Sequence, residues 1–467
     1  MSAALNQNQD SRAAVPPEKL NDPAWAWAPY APDHARPWTL PLAGHLYRRA
    51  AFGGSWSQLR QALADGPQRT IDRLLRPDAD TAAFNRTIDD YEFSAANTAA
   101  DELRAWWLRR MLQTTHPLLE TMTLFWHNHF AISNARVNNA QLMSRHVRHL
   151  RQHALGNFEA LLGGLATQPG VFLSLNAPAN RAARPNESLP RVLMEQFTLG
   201  PGRCAEEDVR EAARAFTGCF VLRDELRYFP AEHDTGVKKL LGQQGPFESK
   251  DVVRILLEQP ATPRWLAGRL YRWFISETSP PADALVKSLA AGFAKDYNVA
   301  KLVETILRSN LFFSQAAYRQ KIKSPVEFAL SIVRPLGGVV GTTRLGADLA
   351  DLGMDLYQPP TMTGWAGHRY WINRFTLVGR SRLAQALLSS SGPYESKVDP
   401  MSAAGRHGQT TPEAASQFLI DLFLQGDVPA EARQAAKATA QTGPGDPGER
   451  IRQTCGLIAS LPEFHLA

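Results

Sequence analysis

The sequence predicts a mainly α protein: a large multi-helix globular fold with a small β-hairpin insertion. Three observations point there. Apolar residues recur at spacings of three and four along most of the chain, the pattern of amphipathic helices. That period gives way to short alternating runs, CFVLR and LRYF, only near 219–247. The composition is that of an ordinary globular protein, 44% hydrophobic and 21% charged over 467 residues, and such a length supports a sizeable core.

Residues 1–40 are polar and proline-rich, with Trp25, Trp27, Tyr30 and Trp38 among the prolines. They predict an extended N-terminal arm that pins itself to the body through aromatic side chains. A main helical domain is expected over 41–390. Leu103, Trp106, Trp107 and Met111 mark one amphipathic helix. A second is expected at about 116–131 and a third at about 139–155, closed by Gly156. A fourth is expected over 187–200, with Ser188 as its cap and Pro190 in its first turn. A fifth follows at about 206–217, and then the hairpin near 219–247. Helices resume from 249 to about 335. Glycine and proline make 336–375 read as irregular structure, and 391–410 as a linker or insertion. Three C-terminal helices are expected within 411–467, packing on the main domain, with Thr411 and Pro412 opening the first.

The net charge of +6 is spread along the chain without a block of consecutive Lys or Arg. That mildly favours anionic partners and gives no reason to expect nucleic acid. The three cysteines, Cys204, Cys219 and Cys455, are too few for a disulfide framework and are expected as free thiols. No apolar run approaches the length of a membrane span. The N-terminal residues carry neither a basic region nor an apolar one, so no signal peptide is expected. The expected location is the cytoplasm, or the periplasm if the chain is exported with a partner.

The residues that can carry chemistry fall into three groups. FWHNHF supplies His127, Asn128 and His129, and the next helix adds His146, His149 and His153 at i, i+3, i+7. Neutral imidazole is a common metal ligand and proton carrier. His127 and His129, two residues apart, point to opposite sides of a regular helix. Arg145, Arg148 and Arg151 alternate with the second histidine set and form a cationic strip suited to an anion or to salt bridges. Glu187, Arg191 and Glu195 share one helical face, as a salt-bridge ladder or as two carboxylates for a metal or substrate. Asn186 precedes them, and Arg210 and Arg214 lie on the following helix. His233 and Asp234 occupy a glycine-bounded loop with Lys238 close behind, a setting suited to ligation or acid–base work. CxxC, HExxH, GxSxG, GxxxxGK[ST] and GxGxxG are absent, which disfavours zincins, α/β-hydrolases, P-loop enzymes and Rossmann dehydrogenases.

Laid in order, HLYRRAAFG, PLLETMTLFWHNHFA, RQHALGNFEALL, NRAARPNESLPRVLMEQFTLG, EDVREAARAFTG, HDTGVKKLLG, KSPVEF, YQPPTMTGWAG and LPEF resemble the bacterial domain-of-unknown-function family 1800 from about residue 43 onward. The resemblance implies a helical bacterial protein. It also implies a genetic neighbourhood with a phosphatase- or sulfatase-like family, domain-of-unknown-function family 1501, which often carries a twin-arginine signal. Val192 stands where a Glu is typical, Asn176 where an Asp is typical, and Cys219 where a Trp is usual. Two functions are expected. One is a metal-dependent or His/carboxylate acid–base enzyme acting on a carbohydrate- or phenol-like substrate. It would use His127, His129, Glu187, Arg191, Glu195, His233 and Asp234, with Asn128, Asn186, Arg210, Arg214 and Lys238 around the substrate. Its divalent or transition metal ion would sit on His127, His129, His153 and His233. The other is a non-catalytic partner or chaperone of the phosphatase- or sulfatase-like enzyme.

Overall fold

A computed structural model describes residues 15–76 and 81–467. The chain is 61% helical, and its only sheets among the described residues are two small antiparallel hairpins. The first pairs Cys219–Leu222 with Glu225–Tyr228; the second pairs Lys238–Leu240 with Gln243–Gly245. Two short hairpins thus stand where one was expected.

Residues 1–14 of the expected N-terminal arm lie outside the described residues. The rest of it carries two one-turn helices, Pro17–Leu20 and Pro23–Ala26. Its aromatics reach the body as expected. The Trp27 indole donates to the Leu285 carbonyl, Trp38 to the Ala62 carbonyl, and Tyr30 N–H to Arg308 O at 2.7 Å.

The helix carrying Leu103, Trp106, Trp107 and Met111 spans Ala100–Gln113, and all four side chains are fully buried. It packs against Thr81–Thr98 on one side and Thr342–Asp351 on another. The latter helix corrects the reading of 336–375 as irregular: Leu345 and Leu349 repeat at four and bury one stripe. The span 391–410 likewise holds a short helix, Pro400–Gly405, with Ala403 and Ala404 buried. Pro412–Leu424, Ala430–Thr442 and Pro447–Ser460 form the C-terminal helices, and Thr411 caps the first through Ala414 N–H at 3.2 Å. The last residues close the fold. Lys323 N–H donates to His465 O and Ala467 N–H to Lys321 O, both at 2.8 Å. One hydrophobic cluster runs through all these elements.

The fourth expected helix is two kinds of helix. Ser188–Val192 is α-helical, and Leu193–Thr198 widens into a π-helix. Ser188 does not cap it; Asn186 Oδ1 instead accepts from Ser188 N–H at 2.9 Å. Cys204, Cys219 and Cys455 are free thiols. Among the described residues, no helix is long and apolar enough to cross a membrane.

Candidate functional site

The Pro117–His129 helix is apolar on nearly every side, so packing carries its few polar residues inward. His127 is fully buried, and its Nε2 accepts the Tyr357 N–H at 3.2 Å. Asn128 Oδ1 accepts the Trp365 N–H at 2.7 Å. Adjacent residues of FWHNHF therefore hold the YQPPTMTGWAG segment at two points. Asn134 N–H adds a bond to Tyr357 O at 2.8 Å. Gly364 makes the close approach possible: its φ is +80°, and a Cβ there would overlap Asn128.

The bond from Tyr357 N–H fixes the His127 tautomer. With Nε2 accepting, the neutral His127 ring carries its proton on Nδ1, which has no hydrogen-bond partner. His146 Nδ1 bonds the Gln168 side chain at 2.9 Å, and the ring also faces the Phe130 backbone. The two ring centroids are 6.4 Å apart, and the Tyr357 ring lies 5.7 Å from His127 with its buried hydroxyl also unpartnered. Burial, reinforced by His146, pushes His127 down to about 3; burial pushes His146 down to about 4. Both rings are neutral at pH 7.

His129 belongs to a different environment. Its ring stacks with Phe125, and its Nε2 donates to the Phe197 carbonyl at 3.1 Å. Burial, then the Arg269 charge, pushes it down to about 3. Phe197 sits in the π-helix, and the Trp265 indole donates to the neighbouring Gln196 carbonyl at 2.8 Å. Ring N–H groups thus satisfy carbonyls in the widened turn.

A buried charge network lies behind this helix. Glu120 accepts from Arg110 Nε at 2.8 Å, Arg151 Nε at 2.9 Å and the Trp107 indole at 3.0 Å. These two guanidinium groups hold its carboxyl below the usual range against the pull of burial. Sequence reasoning passed over Glu120, although an acid inside PLLETMTLFW is a visible signal. Arg151, one cation of the strip expected to meet an anion or salt bridges, is buried. Arg148 pairs with buried Glu92 at 3.3 Å and Arg145 with Glu225 at 3.2 Å. Each cation of the strip meets a carboxylate of its own chain.

The other candidates are also partnered. Arg191 binds Glu206 through both terminal nitrogens at 2.7 Å, with Glu187 at 3.1 Å and Glu195 at 3.7 Å. That is the ladder reading, extended by Glu206. Arg210 pairs with Glu207, and Asn186 bonds Asn176 O and Ser188 N–H. Arg214 clasps Asp234 at 2.7 and 3.1 Å and Glu211 at 2.9 Å. That clasp pushes Asp234 down to about 2. His233 Nδ1 donates to Thr217 O at 2.9 Å, and Lys238 donates to the Asp234 and Gly236 carbonyls. His153 lies against His149, centroids 4.6 Å apart. Among the described residues, no three His, Cys, Asp or Glu side chains group as a metal site. The fit of a metal to His127 is poor on its own terms: the Tyr357 N–H occupies Nε2, so Nδ1 holds the proton and offers no lone pair.

A cleft of about 600 Å³ lies elsewhere, between Glu159, Arg254, Glu258, Arg264, Lys287 and Tyr297. A second surface feature adjoins the clamped segment. Tyr370 is 78% exposed, Phe375 72% and Val378 52%. Phe375 and Val378 share one face of the Arg374–Leu388 helix, and Arg374 lies over the Phe375 ring at 4.7 Å. Arg369 and Arg382 are exposed nearby, and no acid occurs from 356 to 394. The apolar spacing here was visible in RYWINRFTLVG; which side of it faced water was not.

No curated protein and no solved structure matches the chain. A protein family does match, over residues 45–466, nearly the whole length. The chain belongs to the family described as Protein of unknown function (DUF1800).

Proposed function

We propose that this chain is a binding protein that docks a protein partner through the Tyr370–Val378 face, with FWHNHF holding the adjoining segment in place. The observation that carries the reading is the exposure of Tyr370, Phe375 and Val378 within nine residues of chain, flanked by three exposed arginines. Exposed aromatic and arginine side chains together mark protein interfaces, and a contiguous apolar patch is rare on a surface with no partner. The acid-free stretch suits a partner with an acidic rim. The resemblance in sequence supplies the partner class, a phosphatase- or sulfatase-like enzyme. The test is co-expression with that neighbour and purification through a tag on either chain. A complex that loses at least about tenfold in affinity in Phe375→Ser or Tyr370→Ser supports the reading, as expected for aromatic anchors. Wild-type chain that emerges alone, or binds only anionic vesicles, contradicts it.

A second reading, an acid–base enzyme, is favoured by one specific observation. His127 Nδ1–H is a buried donor with no partner among the described residues, and the buried His146 ring lies 6.4 Å away. Such a pair suits proton transfer through a bound water. Purification without chelator and metal analysis, with His127→Ala and His146→Ala as controls, tests this reading and any metal ion it uses. Protein free of metal, with both variants unaltered in any activity found, removes it.

A further inference from the structure

Five cationic side chains are buried together where HLYRRAAFG, KSPVEF and LPEF meet. They are Arg48 and Arg49 on the Leu40–Ala50 helix, Lys321 and Lys323 before the Pro325–Leu336 helix, and Arg380 on Arg374–Leu388. One buried carboxylate, Glu327, stands among them, with Glu277, Asp427 and Arg319 half-buried at the edge.

Two of the acids, Glu327 and Asp427, are committed; Glu277 keeps one buried carboxylate oxygen without a hydrogen-bond partner and acts on Lys321 and Arg49 through its charge. Glu327 accepts Lys321 Nζ at 2.6 Å and Ser324 N–H at 2.8 Å. Asp427 accepts the Tyr318 hydroxyl at 2.6 Å and meets Arg319 at 3.5 Å, so it acts on Arg48 only electrostatically. Some of the cations are served as well. Arg49 donates to the Ile275 and Ala317 carbonyls, and Arg380 to the Lys323 carbonyl.

Arg48 and Lys323 are different. Arg48 spends Nη1 on Gln425 and has the Tyr318 hydroxyl beside it, while among the described residues its buried Nε and Nη2 meet no well-aligned acceptor. Gly44 makes room for that Gln425 side chain, since a Cβ there would overlap it. Lys323 Nζ donates to Ser331 Oγ at 3.1 Å and sits over the Phe464 ring at 3.9 Å. One hydroxyl and one ring face leave at least one of the ammonium group's three N–H bonds without an acceptor. Burial, with Arg48 adding repulsion, pushes Lys323 well below the usual lysine range. Between the two side chains is a cleft of about 10 Å³, also lined by Gly53, Gly54, Ser331 and Gln425. That is room for one small group, a water or a monatomic ion. Buried cations without a counter-charge are costly, and the cheapest remedy that fits this space is a small anion.

We propose that Arg48 and Lys323 form a binding site for a small inorganic anion of chloride size, independent of the docking face. The anion accepts N–H bonds from both side chains, restores the Lys323 charge, and ties the Leu40–Ala50 helix to the C-terminal Phe464 turn. It differs from the Arg145–Arg148–Arg151 strip, whose cations are already paired within the chain.

The test is thermal unfolding in sodium chloride against sodium gluconate at matched ionic strength, since gluconate is too large for the cleft. The wild type should show a saturable rise in Tm of about 2 °C in chloride. Arg48→Met and Lys323→Met should lose the difference. Chlorine-35 NMR line broadening on the wild type is the second readout and needs no variant. Equal melting in both salts overturns the proposal, as does a chloride shift that survives in both variants. A chloride line that the wild-type protein leaves unbroadened overturns it too.

Discussion

Tyr357 gives its backbone N–H to Nε2 of His127 at 3.2 Å, deep in the fold. This bond turns a candidate catalytic histidine into the anchor of a glycine- and proline-rich segment. It follows that His127→Ala removes both a buried ring and a hydrogen bond. The expected cost is about 2–4 kcal/mol in urea unfolding. Hydrogen exchange should quicken selectively at 354–366. A variant that loses stability while exchange in that segment stays unchanged would separate His127 from the anchoring role.

Gly364 offers a test of the same contact from the other side. Its φ of +80° and its closeness to Asn128 leave no room for a methyl group. Gly364→Ala should cost about 2 kcal/mol or more and loosen the Trp365–Asn128 bond. Calorimetry that finds the variant as stable as the wild type would show that the segment can move away freely.

Among the described residues, Glu120 is the sole acid bonded to both Arg110 and Arg151. Glu120→Gln leaves two buried guanidinium groups facing a neutral amide. A loss of about 3–5 kcal/mol is expected by denaturant unfolding. A change below about 1 kcal/mol would mean that Asp89, which pairs with Arg110 at 2.9 Å, Asn85, which also bonds Arg110, and Glu92, whose charge acts on Arg151, carry the network instead.

The buried histidines set an acid limit. Burial lowers His127 and His129 to about 3 and His146 to about 4. The unfolded chain takes up these protons first, near an ordinary histidine value of about 6.5. Their contribution is therefore complete above that pH and is lost as pH falls toward 4. Each ring contributes a slope of up to about 1.4 kcal/mol per pH unit in that window. His129→Gln should flatten the fall between pH 6 and 4, measured by urea unfolding at each pH. An unchanged slope would place the acid sensitivity in other groups.

The sequence made the helical architecture readable because most helices here bury one stripe and expose another. Leu103, Trp106, Trp107 and Met111 announce their helix through that stripe. Thr342–Asp351 hid behind flanking glycines, with only Leu345 and Leu349 to mark its face. The π-turn at Leu193–Thr198 was illegible, since what stabilises it includes distant ring N–H groups on His129 and Trp265. For the candidate site, spacing grouped polar residues but did not give their partners. His127 and Asn128 meet backbone more than 200 residues away in the chain, and Arg214 meets Asp234 across a hairpin. No local pattern encodes such pairings. Exposure of Tyr370 and Phe375 was equally hidden, because an aromatic at helical spacing reads as core until its neighbours are known.

The reading of this chain as a binding protein stands or falls on where a partner touches it. Hydrogen exchange of the full chain, with and without the phosphatase- or sulfatase-like neighbour, locates that contact. Protection centred on 368–380 is expected, with little change in the 232–240 loop or at the Glu187–Glu206 ladder. Protection confined to the ladder or the His233 loop, or none at any concentration, would mean that the exposed aromatics are not a docking face.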